Sequence, residues 1–178
     1  MYQEIIKYWF EEINQSQWFK KDDAFDQLIS DRFSDVHSRA VRCELFDWRK
    51  NAKGRLAEII VLDQFSRNMF RDSPLAFIND PMALVLSQEA ISVGIDKFLD
   101  PIERSFLFLP LMHSESIKIH KVAEDLYRQY GMGSNLEWEI KHKQIIEKFG
   151  RYPHRNEALG RESTEEELEF LNQPNSSF

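Results

Sequence analysis

DPMALVLSQEAISVGIDKFLDPIERSFLFLPLMHSE, residues 80–115, carries its own helix punctuation. Asp80-Pro81 reads as an N-cap followed by proline at the first helical position, where a missing N–H costs nothing because first-turn donors have no intrahelical partner. Gly94 stands where a left-handed C-terminal cap belongs. Asp100-Pro101 opens the next helix in the same way, and Glu103 is placed to complete a capping box. Pro110 predicts an end or a kink, because its ring removes one backbone hydrogen bond and crowds the carbonyl four residues back. Ser114 is then positioned to cap a helix running to Tyr130 and closed by Gly131.

The same grammar extends in both directions. Tyr2 to Glu12 reads as a first helix with Ile5, Ile6, Trp9 and Phe10 on its apolar side. Asp22 or Asp23 caps a second, in which Phe25, Leu28, Ile29, Phe33 and Val36 recur at three and four. A central helix spans about Gly54 to Phe70. Beyond Gly131, Ser134 or Asn135 restarts the chain into a helix ending at Gly150. After an irregular stretch from Arg151 to Arg161, Ser163 with Glu166, or Thr164 with Glu167, forms a capping box before a short terminal helix. The polar tail from about 172 is predicted to fray, with Phe178 able to dock. No segment has the sustained alternation between hairpin turns that a strand needs. The prediction is all-α: about eight helices in antiparallel pairs joined by short loops, in one domain over residues 1–178.

Composition narrows the function classes. Thirty acidic against 23 basic residues give a formal charge of -7, so no general electrostatic pull toward nucleic acid or an anionic membrane is expected. The longest apolar run, Phe106 to Met112, is far short of the roughly 20 residues a membrane span needs. The single cysteine, Cys43, cannot form an internal disulfide, and no signal-like segment opens the chain, which together point to the cytoplasm. No paired CxxC, HExxH, phosphate loop, nucleophile elbow or dinucleotide fingerprint occurs, so no metal and no familiar cofactor is indicated.

Three segments place polar residues in apolar surroundings. In the central helix, Leu56, Ile59 and Ile60 share a face with Asp63 and Arg67, Arg71 lies close by, and Val61, Leu62, Phe65 and Met69 cover the opposite side. A helix apolar nearly all round is central, so Asp63, Gln64 and Arg67 are expected to be buried or to line a cavity. Asp63 and Arg67, four residues apart, can satisfy each other. Alternatively Arg67, Asn68 and Arg71 hold an anion, because planar guanidinium donors match carboxylate or phosphate oxygens in pairs.

His113-Ser114-Glu115 follows the Pro110 break. There Glu115 can serve the helix start, or orient His113 as a general acid or base. His142 lies in line with Trp138, Ile145 and Phe149, as a packed histidine would. Glu139 and His142 form one Glu-x-x-His step, whereas a di-iron bundle needs two and further carboxylates. From Arg151 to Arg161, Gly150 and Gly160 permit unusual backbone angles and Pro153 stiffens the turn that carries His154, Arg155 and Asn156. Those arginines can clamp helix-end carbonyls or present donors to a ligand.

IIKYWF (5–10), LDQFSRNMFR (62–71), PLMHSE (110–115) and FGRYPHRNEALGREST (149–164), in this order and spacing, resemble a bacterial domain-of-unknown-function family, number 924, over essentially the whole chain. The resemblance implies a tetratricopeptide-like helical array and transfers no established activity. Its polar positions map here to Asp63, Gln64, Arg67, Asn68 and Arg71, to His113, Ser114 and Glu115, to His142, and to Arg151, His154, Arg155, Asn156 and Arg161. Ser66 replaces the proline usual in that pattern, which puts a kink there in doubt. His120 replaces glutamine, which adds a titratable group.

Two functions follow as expectations. In the first, an anionic small molecule binds through Arg67, Arg71, Arg151, Arg155 and Arg161, with Asp63, Gln64, Asn68, Glu115 and Asn156 lining the site and His113 or His154 acting as acid-base catalyst. In the second, a tetratricopeptide-like scaffold binds a partner helix or an acidic peptide in a groove between helix pairs. A third reading makes every polar motif an internal network that holds the fold. Neither enzymatic activity nor oligomeric state is legible.

Overall fold

A computed structural model of the chain describes residues 1–174 and 176, and these residues are all-helical, with no strand among them. Its backbone contacts group into two units: Met1–Arg71 with Leu75–Pro110, and Asp72–Pro74 with Leu111–Phe178. None of the described helices is long and apolar enough to cross a membrane.

In the first unit, helix α1 (Tyr2–Lys7) continues as a π turn over Tyr8–Glu12. Asp22 caps α2 (Asp23–Val41), its carboxylate accepting the Ala24 and Phe25 N–H groups. The buried face of α2 runs through Phe25, Ile29, Phe33, His37 and Ala40, whereas Leu28, expected on it, is exposed. Leu28 lies about 60° of helical rotation outside Phe25, beyond the edge of that face.

The central helix is α3 (Ala52–Ile60), a π turn (Val61–Phe65) and α4 (Ser66–Met69). Every residue from Leu56 to Ser66 is buried, as an all-round apolar pattern requires. Gly54 makes a close approach possible, since a Cβ there would stand 2.1 Å from the Trp48 carbonyl oxygen. Aromatic rings knit α1, α2 and the π turn. Tyr8 and Phe33 lie 4.9 Å apart, Phe33 and Phe65 5.1 Å, and Trp9 and Phe65 5.6 Å. Each such pair adds about 1 kcal/mol beyond its buried area.

Helix α5 (Asp80–Ser92) starts one residue earlier than expected. Asn79 is its N-cap residue, Asp80 and Pro81 are already helical, and the Asp80 carboxylate serves Arg67 instead of the helix start. Gly94 adopts the left-handed conformation at φ 76°. The Asp100–Glu103 capping box forms at the start of α6 (Pro101–Met112). Pro110 does not end α6, which runs two residues further. Ser87 on α5 donates to the Leu107 carbonyl, fastening α5 to α6.

In the second unit, Ser116 rather than Ser114 is the N-cap residue of α7 (Ile117–Gln129), and the Ser114 hydroxyl accepts the Ser116 N–H. Helix α8 (Gly133–Phe149) packs against α7 and ends at Gly150, φ 71°. A 3-10 turn, Pro153–Arg155, precedes α9 (Glu165–Leu171). Of the two capping boxes open to α9, Thr164 with Glu167 forms. In the tail, the Asn172 N–H bonds the Leu168 carbonyl and the Ser176 hydroxyl donates to Leu171. Asn175, Ser177 and Phe178, with the docking expected of Phe178, lie outside the described residues.

Candidate functional site

The first unit holds one group of the candidate residues. Asp63 and Gln64 are buried, and Gln64 donates to Asp63 Oδ2 at 2.6 Å. Arg67 Nη1 reaches back one turn to Asp63 Oδ1 at 3.0 Å, the four-residue pairing expected. The same guanidinium also grips Asp80 with two parallel bonds of 2.9 Å, the fork geometry that makes arginine–carboxylate pairs strong. Arg71 donates twice to Asp26 on α2, and buried Asn68 donates to Asp26 Oδ1 at 2.7 Å.

Ser66 closes the group. Its hydroxyl donates to the Leu62 carbonyl at 2.6 Å, so its lone pairs take the Asn79 amide and a proton on His37 Nε2, 2.8 Å away. Burial pushes the His37 imidazole down, toward the neutral form.

The second unit holds the other candidates and brings 111–115 against 151–161. Arg155, buried, donates to the His113 carbonyl at 3.0 Å. Arg161 grips Glu115 through both Nη atoms at 2.7 and 2.9 Å, and the Tyr152 N–H donates to the same carboxylate. Burial pushes the Glu115 carboxyl up, but Arg161 and that N–H outweigh it and hold the group below the usual carboxylate range. Glu115 thus serves the 151–161 segment rather than the start of α7.

Arg151 pairs with Glu167 through two bonds of 2.7 and 2.8 Å, and Asn156 donates to Ser163 and Glu167. The Arg151 hydrogen bond, helped by the Thr164 N–H, pulls the Glu167 carboxyl down to about 2. Arg67, Arg71, Arg151 and Arg161 are therefore each bound to a carboxylate within their own unit.

Tyr152, absent from the sequence candidates, is the hub of the second unit. Its ring is fully buried. The Arg155 guanidinium lies over it at 4.5 Å, and His154, His142 and His120 surround it at 5.4, 5.8 and 6.3 Å between ring centres. His142 is turned inward as expected, with Nδ1–H donating to the Trp138 carbonyl at 2.8 Å. Burial drives it down to about 3, against the partial support of that bond. Glu139 bonds His120 instead of joining His142. Among the described residues no three His, Cys, Asp or Glu side chains gather as a metal site would need.

The sequence marks Asp80, Glu139 and Glu167 only for local roles, a helix start, a Glu-x-x-His step and a capping box, and Asp26 not at all, because the arginine or histidine each one binds lies on another element. The one available hint was His120, an unexpected histidine three residues into an otherwise amphipathic helix.

Among curated proteins nothing matches the chain. A solved structure of a protein of unknown function from Agrobacterium tumefaciens is similar to it with a TM-score of 0.91 and 39% sequence identity, covering 97% of both chains. The family model described as bacterial protein of unknown function, DUF924, matches residues 5–175, and the chain belongs to that family.

Proposed function

We propose that the protein binds a small anion, a carboxylate or a phosphate, in its second unit beside Tyr152. Arg155 supplies the guanidinium, and His113 and His154 are the groups able to move a proton during acid-base chemistry, in the cytoplasm. The observation that carries this reading is the convergence of one guanidinium and three imidazoles on a single buried ring. A cation held over an aromatic face in apolar surroundings keeps its charge and exerts it over a longer range than in water. Arg67, Arg71, Arg151 and Arg161, each neutralised by a carboxylate, are assigned to holding the fold.

Thermal unfolding with inorganic phosphate and with small dicarboxylates tests this. A ligand at a hundred times its dissociation constant stabilises by about 2.7 kcal/mol. The shift is expected in the native sequence and lost in a folded Arg155→Ala variant. No shift with either anion class, or an equal shift in the variant, would remove the anion site.

A second reading has its own observation. Ile117, Val122 and Trp138 are exposed on α7 and α8, with the Lys141 ammonium 4.3 Å from the Trp138 ring centre. An exposed indole with an ammonium against it suits a partner helix or an acidic peptide, as a tetratricopeptide-like scaffold would use. Loss of peptide binding on Trp138→Ser, with anion binding absent, would favour it.

A further inference from the structure

His120 Nε2 lies 2.8 Å from the Ser114 carbonyl oxygen, which can only accept, so Nε2 carries a proton. Nδ1 lies 2.7 Å from Glu139 Oε1, a contact that needs a second proton between the two atoms. Both side chains are fully buried. An imidazole and a carboxylate arranged in this way hold one proton more than a neutral histidine beside an ionised glutamate. Their combined charge is zero whichever atom carries the shared proton. Among the described residues Glu139 Oε2 is buried with no hydrogen-bond donor, so a full negative charge on the carboxylate is supported at Oε1 alone and by the more distant Lys143. Burial accordingly pushes this carboxyl up.

We propose that Glu139 and His120 form a buried site for one shared proton, whose loss rewires the hold on Met112 and Ser114. The alternative wiring is already within reach. The Tyr152 hydroxyl donates to the Met112 carbonyl and sits 3.2 Å from His120 Nε2. When the shared proton leaves for solvent base, one ring proton remains for two acceptors. It moves to Nδ1 and donates to the Glu139 carboxylate, leaving Nε2 with a lone pair. The Tyr152 O–H then turns from Met112 to Nε2. The Ser114 and Met112 carbonyls both lose their donors, and the turn between α6 and α7 is released from the imidazole and phenol that hold it.

The charged and titratable neighbours are Glu124 on α7, Lys143 and His142 on α8, Tyr152 and Arg155 in the 151–161 segment, and His113 and Glu115 before α7. Lys143 and Glu124 pair with each other, and the Arg155 charge is constant. The switch therefore rests on the Glu139–His120 proton. It stands whether or not an anion binds beside Tyr152.

In the unfolded chain the glutamate is ionised and the histidine neutral above about pH 7, so unfolding there releases one proton. Above about pH 7, for as long as the native pair keeps its shared proton, the folding equilibrium constant of the native sequence is expected to fall about tenfold per pH unit relative to Glu139→Gln, whose amide donates to Nδ1 without any shared proton. Parallel profiles would overturn the proposal. Nitrogen NMR of labelled histidines in the unmodified protein gives an independent reading. His120 is expected to keep Nε2 protonated near pH 7 and to pass to the Nδ1–H tautomer at higher pH. A bare Nε2 near pH 7 would overturn it even if the variant failed to fold.

Discussion

Mild acid should unfold this protein through His142. In the native state the ring is buried, its Nδ1–H is committed to the Trp138 carbonyl, and its ionisation is depressed from 6.5 to about 3. The unfolded chain takes up that proton below 6.5 and the native one does not. The group's contribution to stability is therefore complete above 6.5 and lost as pH falls toward 3. Each unit of difference corresponds to about 1.4 kcal/mol, so the full window amounts to ~5 kcal/mol. That is comparable to the entire stability of many domains. His37, also depressed by burial, acts in the same direction.

Urea unfolding at several values between about pH 6 and about pH 4, in the native sequence and in His142→Asn, isolates the effect. His37 and the carboxylates titrate identically in both proteins, so the comparison lies in the slopes. The native sequence should lose about 1.4 kcal/mol more per pH unit than the variant. Equal slopes would mean that the imidazole is protonated in the folded state, and the account of its burial would be wrong.

Asp26→Ala leaves buried Asn68 and the Arg71 guanidinium without the carboxylate they share, and should cost about 3 to 5 kcal/mol in denaturant unfolding. Gly54→Ala improves helix propensity by about 1 kcal/mol, yet its Cβ would stand 2.1 Å from the Trp48 oxygen; a net loss of about 1 to 3 kcal/mol is expected, and a stabilised variant would refute the packing. Thr164→Ala removes half of the capping box on α9 and should lower stability by about 1 kcal/mol without altering anion binding, checked by the same denaturant series with and without phosphate.

The sequence by itself determined where α5, α7 and α8 stop and which local pairs form, although Pro110 does not stop α6. Gly94, Gly131 and Gly150 adopt the left-handed geometry read from their positions. The Asp100–Glu103 and Thr164–Glu167 boxes close, and Asp63 meets Arg67. Each of these depends on bonds spanning three or four residues, whose geometry the helix itself supplies. Where two local solutions compete, the pattern is ambiguous by a residue or two. Asp80 had the option of capping its helix, but a guanidinium from the preceding helix takes its carboxylate instead.

Only the tertiary structure decided the long-range partners. Asp26 with Arg71, Glu115 with Arg161, and Glu139 with His120 and then Tyr152 join residues 19 to 46 positions apart. Nothing in hydrophobic period or capping chemistry encodes which carboxylate faces which arginine. That choice is made when helices pack and every buried charge must find a partner or lose several kcal/mol. Arginine-rich wording that resembled a ligand site is, for Arg67, Arg71, Arg151 and Arg161, chemistry answered from inside each unit, and the packing leaves Tyr152, a residue without any local mark, at the centre of the rest.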